Sequence, residues 1–400
     1  MVSSQECRIE IVPRRISSVG KAVRTGGRLG VFGIMSGWSG KNDGVASARA
    51  QAEQARTKTR RPSARAVLVT YMEANIPASP EFIKLVDIRY NLYMTDTSEL
   101  KGVITAALTP LHENGSLAEG ELPGLLKFLA ERGSHGALLL GTTGEGPSFS
   151  PDERVRIVRA GVTVRQEHPQ FKILVGTGTP SLEETVALNK AAFDLGADGV
   201  VVLPPYFFRK ASEDGIYEWF SQILRRSLPS GAALLVYHIP SLTGISLSLD
   251  FFDRLLTSFP GHVIGIKDSS ADKNFARQLG ERFGTNLRVF NGTDSLFDLA
   301  LENAAAGCIT AMANLRSPDL RLIWDARQQG NVDFSARERI ILGRSIMERF
   351  PPNPPLYKAL IHHLHGFPSW KVRSPLVDLT KTQIETILAH VLAEAPEFSQ

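Results

Sequence analysis

The sequence predicts an α/β fold, a (β/α)8 TIM barrel with a C-terminal helical extension, and three observations carry that expectation. Eight short apolar runs succeed one another after position 100, spaced at roughly thirty residues. Each run is continuous rather than alternating, which marks strands covered on both faces and hence a parallel sheet. Amphipathic helical stretches separate them, so the repeating unit is strand then helix.

The first run, GVITAAL at 102–108, ends in Thr109 and Pro110 and is followed by the helical stretch LPGLLKFLAERG. GALLLG (136–141) and KILVGTG (172–178) supply the second and third strands, and SLEETVALNKAAFDLGA the helix after them. GVVVLPP (199–205), ALLVYHIP (233–240), VIGIKDSS (263–270), RVFNG (288–292) and GCITAMAN (307–314) complete the eight. An open doubly wound sheet is the structural alternative. It binds nucleotides through a glycine loop after its first strand, and TPLHENG at that place lacks the fingerprint. GTGTP at 176–180 lacks the Lys-Ser/Thr ending of a phosphate loop and reads as a βα turn. Beyond residue 315 the helical character continues for longer than one barrel helix requires. The expected organisation is an extension over 1–93, a barrel over 94–315 and a helical extension over 316–400.

A chain of 400 residues, 43% apolar and 22% charged, can bury one large core and something more. No stretch reaches the roughly twenty apolar residues of a membrane helix, so no membrane partner is expected. Cys7 and Cys308 are the only cysteines, which leaves neither a disulfide framework nor a cysteine metal site, and a reducing, cytoplasmic compartment is the default. The net charge of +4 conceals two unlike parts, +9 within residues 1–70 and −5 in the remainder. The basic part is rich in Arg, Ser, Gly and Ala, lacks periodicity, and reads as disordered. Such a leader fits an organellar transit peptide, a basic arm for nucleic acid or membrane, or an over-extended reading frame with Met94 as the true start, the last being favoured. No aromatic interleaving accompanies the charge, so no nucleic-acid partner is expected.

In a barrel of this kind the reactive groups sit at the C-terminal ends of the strands. GTTGE (Gly141 to Glu145) follows the second strand, where glycines around two threonines let amides and hydroxyls converge on a small anion such as a carboxylate. A tight turn without ligand explains the same residues. Tyr237 closes the fifth strand, and Lys267 interrupts the sixth. A lysine kept from water at an apolar mouth can attack a ketone as an uncharged amine, giving a Schiff base that withdraws electrons from the neighbouring carbon–carbon bond. The structural alternative is a lysine that reaches water or pairs with Asp268. Consecutive βα units make the fifth and sixth strands neighbours, so Tyr237 and Lys267 share one mouth, where a phenol can shuttle protons. The HHLH group at 362–365 has no carboxylate pattern beside it and reads as structural rather than metal-binding.

GTTGE, VYHIPSLTG, GIKDSS and NGTD…GCITAMAN, in that order and spacing over residues 100 to about 380, resemble the pyruvate-dependent class I aldolases related to dihydrodipicolinate synthase and N-acetylneuraminate lyase. The resemblance implies Lys267 as the imine-forming residue, Tyr237 as the proton-transferring tyrosine and Thr142 as its relay. It further implies a substrate pocket lined by Thr143, Gly144, Phe207, Leu242, Gly292 and the carbonyl of Ile309. It also implies a homotetramer acting on pyruvate and an aldehyde, with no metal and no organic cofactor.

Two departures bear on substrate. Dihydrodipicolinate synthases carry an arginine, which grips the carboxylate of the aldehyde partner, where this chain has Leu242. They also carry a second relay tyrosine where Phe207 follows Tyr206. YHIPSLTG looks closer to sialic-acid lyases, and GTTGEGPSFSPDE with PPYFFRKASED closer to 2-keto-3-deoxy sugar acid aldolases, which are slightly favoured. The alternatives are 4-hydroxy-tetrahydrodipicolinate synthesis, a keto-deoxy sugar acid dehydratase using the same imine, and a non-catalytic binding barrel, which the pairing of Lys267 with Tyr237 disfavours.

Overall fold

The computed structural model describes residues 100–399 apart from Ser230 and Gly261, and the side chains of 263, 264 and 399 are left out of the account. The basic leader, with its compositional bias and the candidate start at Met94, lies outside the described residues. Contacts separate Met1–Tyr93 from Met94–Gln400, and the description concerns the second unit.

Eight strands form in the order expected: β1 Gly102–Ala106, β2 Gly136–Leu139, β3 Lys172–Gly176, β4 Gly199–Val202, β5 Ala233–His238, β6 Val263–Asp268, β7 Arg288–Asn291 and β8 Gly307–Thr310. Each begins where its apolar run begins and stops earlier, because the last residues of the run turn into the following loop. All neighbours are parallel, and β8 pairs with β1, closing the barrel. The fold is therefore a closed (β/α)8 barrel, and the open sheet is excluded.

Helices α1 Leu122–Glu131, α2 Pro151–Gly161, α3 Leu182–Asp194, α4 Glu213–Ser227, a single turn α5 Pro240–Thr243, α6 Leu249–Ser258, α7 Lys273–Phe283 and α8 Phe297–Glu302 intervene. Short polar side chains start most of the long ones: Ser150, Ser181, Ser212 and Ser248 each accept from the backbone N–H three residues on, and Asp272 does so from Asn274 and Phe275. A cap satisfies a donor that the helix cannot satisfy itself, so these serines mark where each loop ends.

The eighth barrel helix, α9 Ala313–Gln328, packs on β1 and β8 and bends at Arg316, ahead of Pro318. The 315/316 division, drawn from the length of helix that follows the eighth run, falls at that bend, inside the helix. Proline lacks the N–H that a straight helix needs and crowds the residues before it, which accounts for the kink. Three helices follow, α10 Phe334–Met347, α11 Asn353–His365 and α12 Lys381–Glu394. No helix among the described residues is long and apolar enough to cross a membrane.

Two cores result from the two faces of each strand. Outward residues such as Val103, Ala137, Ile173, Val200, Leu234 and Ile266 pack against the helices, while Ile104, Leu138, Leu174, Val201, Leu235, Phe290 and Ile309 fill the barrel. A barrel plugged by branched side chains is a scaffold rather than a pore, and chemistry is left to its C-terminal mouth.

Candidate active site

Tyr237 and Lys267 stand opposite each other in the β5–β6 ladder. Tyr237 belongs to the barrel interior, and strand alternation in register sends Lys267 to the same face. Both are about 95% buried, and the Lys267 ammonium nitrogen lies 4.1 Å from the centroid of the Tyr237 ring. The reading in which Lys267 pairs with Asp268 does not hold. Asp268 is the next residue on a strand, faces the other way, and its carboxylate is taken by His238 Nδ1 at 3.0 Å and by Ser270. Leu247 N–H donates to His238 Nε2, which puts the imidazole proton on Nδ1, toward Asp268. This buried bridge between paired residues fixes the β5–β6 register on which the Tyr237–Lys267 juxtaposition depends.

Burial works against ionisation of the Tyr237 phenol. The Lys267 charge and side-chain hydrogen bonds to Thr142, Lys267 and Ser269 outweigh it, and together hold the phenol below the ordinary tyrosine value. Thr142 faces solvent for much of its surface, whereas Thr143 is buried. The turn carrying them is tight. Thr109 Oγ1 donates to the Gly144 carbonyl at 2.7 Å, and a Cβ on Gly144 would lie 2.7 Å from the Ala107 carbonyl oxygen. Leu140 and Glu145, neither a glycine, bracket the turn at φ 58° and 55°. Left-handed backbone costs such residues about 1–2 kcal/mol each, so the surrounding contacts must hold it.

Gly292 lies against Ser269: a Cβ there would be 2.0 Å from Ser269 Oγ. Its N–H donates to the Asp268 carbonyl at 2.7 Å. Ile309 is fully buried in β8 opposite Ile104. Phe207 and Leu242 stand apart from this cluster, 74% exposed in the loop after β4 and 55% exposed on α5, with Phe207 edge-on to Phe208.

Sequence reasoning passed over Ser269, the His238–Asp268 bridge, and a buried pair beneath the threonine turn, Glu145 with Lys358 at 2.5 Å. Lys358 had a signal, a lysine inside the apolar helical run PPLYKALI. Of the HHLH histidines, His362 bonds to the Phe367 carbonyl and lies with its ring 4.7 Å from that of His363, while His365 packs on the Phe128 ring at 5.1 Å.

A lysine and a tyrosine in register at the mouth of this barrel, under a Thr-Thr turn, are the features of the pyruvate-dependent class I aldolases, which are lyases. The Dihydrodipicolinate synthetase family model matches residues 99–394, and the chain belongs to that family. It is 37% identical over 294 residues to an uncharacterized DapA-like lyase of Chloroflexus aurantiacus, covering 73% of this chain and 96% of the relative. It is 30% identical over 295 residues to the 4-hydroxy-tetrahydrodipicolinate synthase of Desulforamulus reducens, with the same coverage. Among solved structures, YagE of E. coli K12, a dihydrodipicolinic acid synthase family protein in complex with pyruvate, superposes with a TM-score of 0.68 at 25% identity, over 73% of this chain and 98% of that one.

Proposed function

We propose that this lyase makes or cleaves a carbon–carbon bond between pyruvate and an aldehyde through a Schiff base on Lys267, acting on a 2-keto-3-deoxy sugar acid or an N-acetylneuraminate-like substrate. The observation that carries the reading is the buried Lys267 side chain beside the Tyr237 ring, opposite it in the β5–β6 ladder. In the cleavage direction Lys267 gives up its proton and the free amine adds to the C2 ketone, and the carbinolamine oxygen takes up a proton and leaves as water to give the iminium. The Tyr237 phenolate takes the proton of the C4 hydroxyl as the C3–C4 bond breaks. The bonding pair moves into the iminium, the aldehyde leaves, and an enamine remains. Protonation at C3 and hydrolysis of the imine release pyruvate. Thr143 and Gly144 offer a hydroxyl and an amide to the pyruvate carboxylate, with Gly292 and the Ile309 carbonyl completing the wall.

Leu242 and Phe207 on the rim support a partner aldehyde without a carboxylate, since neither side chain can donate to one. One observation favours a second reading, an aldehyde bearing a carboxylate, as for the relatives named 4-hydroxy-tetrahydrodipicolinate synthase. The Arg209 stem lies over Gly244, two residues past Leu242, so that a Cβ on Gly244 would meet it at 2.9 Å. A guanidinium is thus available on the same rim.

The decisive experiment is borohydride reduction in the presence of pyruvate, followed by peptide mass mapping. The adduct is expected on Lys267 and absent from Lys267→Ala. An adduct elsewhere, or substrate turnover with none, refutes the imine. Assay of pyruvate release from keto-deoxy sugar acids and N-acetylneuraminate then separates the aldolase from a dehydratase, which releases none.

A further inference from the structure

The turn that carries Thr142 and Thr143 is closed by Glu145 N–H to the Thr142 carbonyl and Gly146 N–H to the Gly141 carbonyl, each at 3.1 Å. Neither bond explains what keeps Leu140 and Glu145 in left-handed backbone. For Glu145, a restraint comes from far along the chain. The Glu145 carboxylate is fully buried, and one oxygen receives Lys358 Nζ at 2.5 Å while the other receives the Arg373 N–H at 3.0 Å. Lys358, 1% exposed on α11, also donates to the Lys371 carbonyl at 2.6 Å. The Arg373 guanidinium bonds to the Ser148 carbonyl, to Glu153 and to the Gly115 carbonyl, clasping the segment just after the turn and the loop after β1.

A buried ion pair is a poor source of net stability, because desolvating both charges offsets most of their attraction. What it supplies is direction. The charges must stay within hydrogen-bond reach of each other, so the backbone that carries Glu145 cannot drift. We propose that Glu145 and Lys358, with the Lys371 carbonyl and the Arg373 amide, are positioning residues that hold the Thr142–Thr143 turn against Tyr237, so that the C-terminal helices are part of the catalytic apparatus. The inference rests on the reading that Thr142 and Thr143 serve the Lys267 site.

The test is the double variant E145Q/K358M, which removes both buried charges at nearly constant volume. Expected are a folded protein, a Lys267 adduct at saturating pyruvate, a pyruvate KM raised roughly tenfold to a hundredfold, and a lower kcat. The acidic limb of the kcat–pH profile, set by deprotonation of the Tyr237 base, is expected to move to higher pH, because the phenol loses the lowering influence of Thr142. Should the double variant not fold, E145Q alone, which keeps a carbonyl acceptor for Lys358, is judged by the same measurements. A folded variant with unchanged KM, kcat and pH profile, in an enzyme whose wild type forms the adduct, overturns the positioning role alone. Wild-type protein that forms no adduct with pyruvate overturns the imine reading, and this proposal with it.

Discussion

At the scale of single residues, the site depends on which groups touch the Tyr237 phenol. Thr142, Lys267 and Ser269 lower its proton affinity against the effect of burial, so removing one of them raises it. Thr142→Val is expected to shift the acidic limb of kcat to higher pH and so to cut kcat about tenfold at neutral pH, measured over a pH series. Tyr237→Phe removes the proton carrier altogether. A loss of roughly a hundredfold to a thousandfold in turnover is expected, with the Lys267 adduct still detectable by mass spectrometry. Lys267 and Tyr237 were legible because each breaks or closes an apolar run. Ser269 was not, since a serine after a strand looks the same whether it faces a phenol or water.

At the scale of elements, the start of the barrel is closed by a histidine. Gly102 has φ 88°, and a Cβ there would lie 2.5 Å from His135 Nδ1, which accepts the Val103 N–H at 3.0 Å. Burial, aided by the Arg321 charge, pulls His135 down to about 4, and burial with Arg132 and Arg316 does the same for His365. The folded chain then refuses protons that the unfolded chain accepts between pH 6.5 and about 4. Stability is therefore complete above pH 6.5 and declines as pH falls through that window, by on the order of 2 kcal/mol for His135. Denaturant titrations at pH 7.5 and 4.5 test this, and His135→Gln is expected to flatten the difference. Ser150→Ala removes a capping box at α2 and is expected to cost about 1 kcal/mol in the same assay.

At the scale of the molecule, the helices beyond the barrel are bound to it at their far end. Phe398 is fully buried, a Cβ on Gly343 would lie 2.7 Å from its ring, and the Arg316 guanidinium sits 5.2 Å over it. Phe398→Ala is expected to cost about 3–5 kcal/mol, read as a lower thermal midpoint. The exposed pair Phe207 and Phe208 is apolar surface beside the proposed site, and we propose that it meets another copy of the chain. Light scattering is expected to find a homotetramer, and F207S/F208S to yield smaller particles. Particles of one size in both proteins would remove these rings from the interface.

The sequence by itself determined the barrel, the order and starting points of its strands, and the two side chains proposed as the reaction centre. Those features are local: continuous hydrophobicity, helical period and a charged residue out of place can all be read along the chain. Only the tertiary structure decided that Asp268 serves His238 and not Lys267, that the eighth barrel helix runs through the kink at Arg316, and that Glu145 is held from beneath by Lys358. The two charge pairings span 30 and 213 residues, and a buried charge chooses its partner by proximity in space.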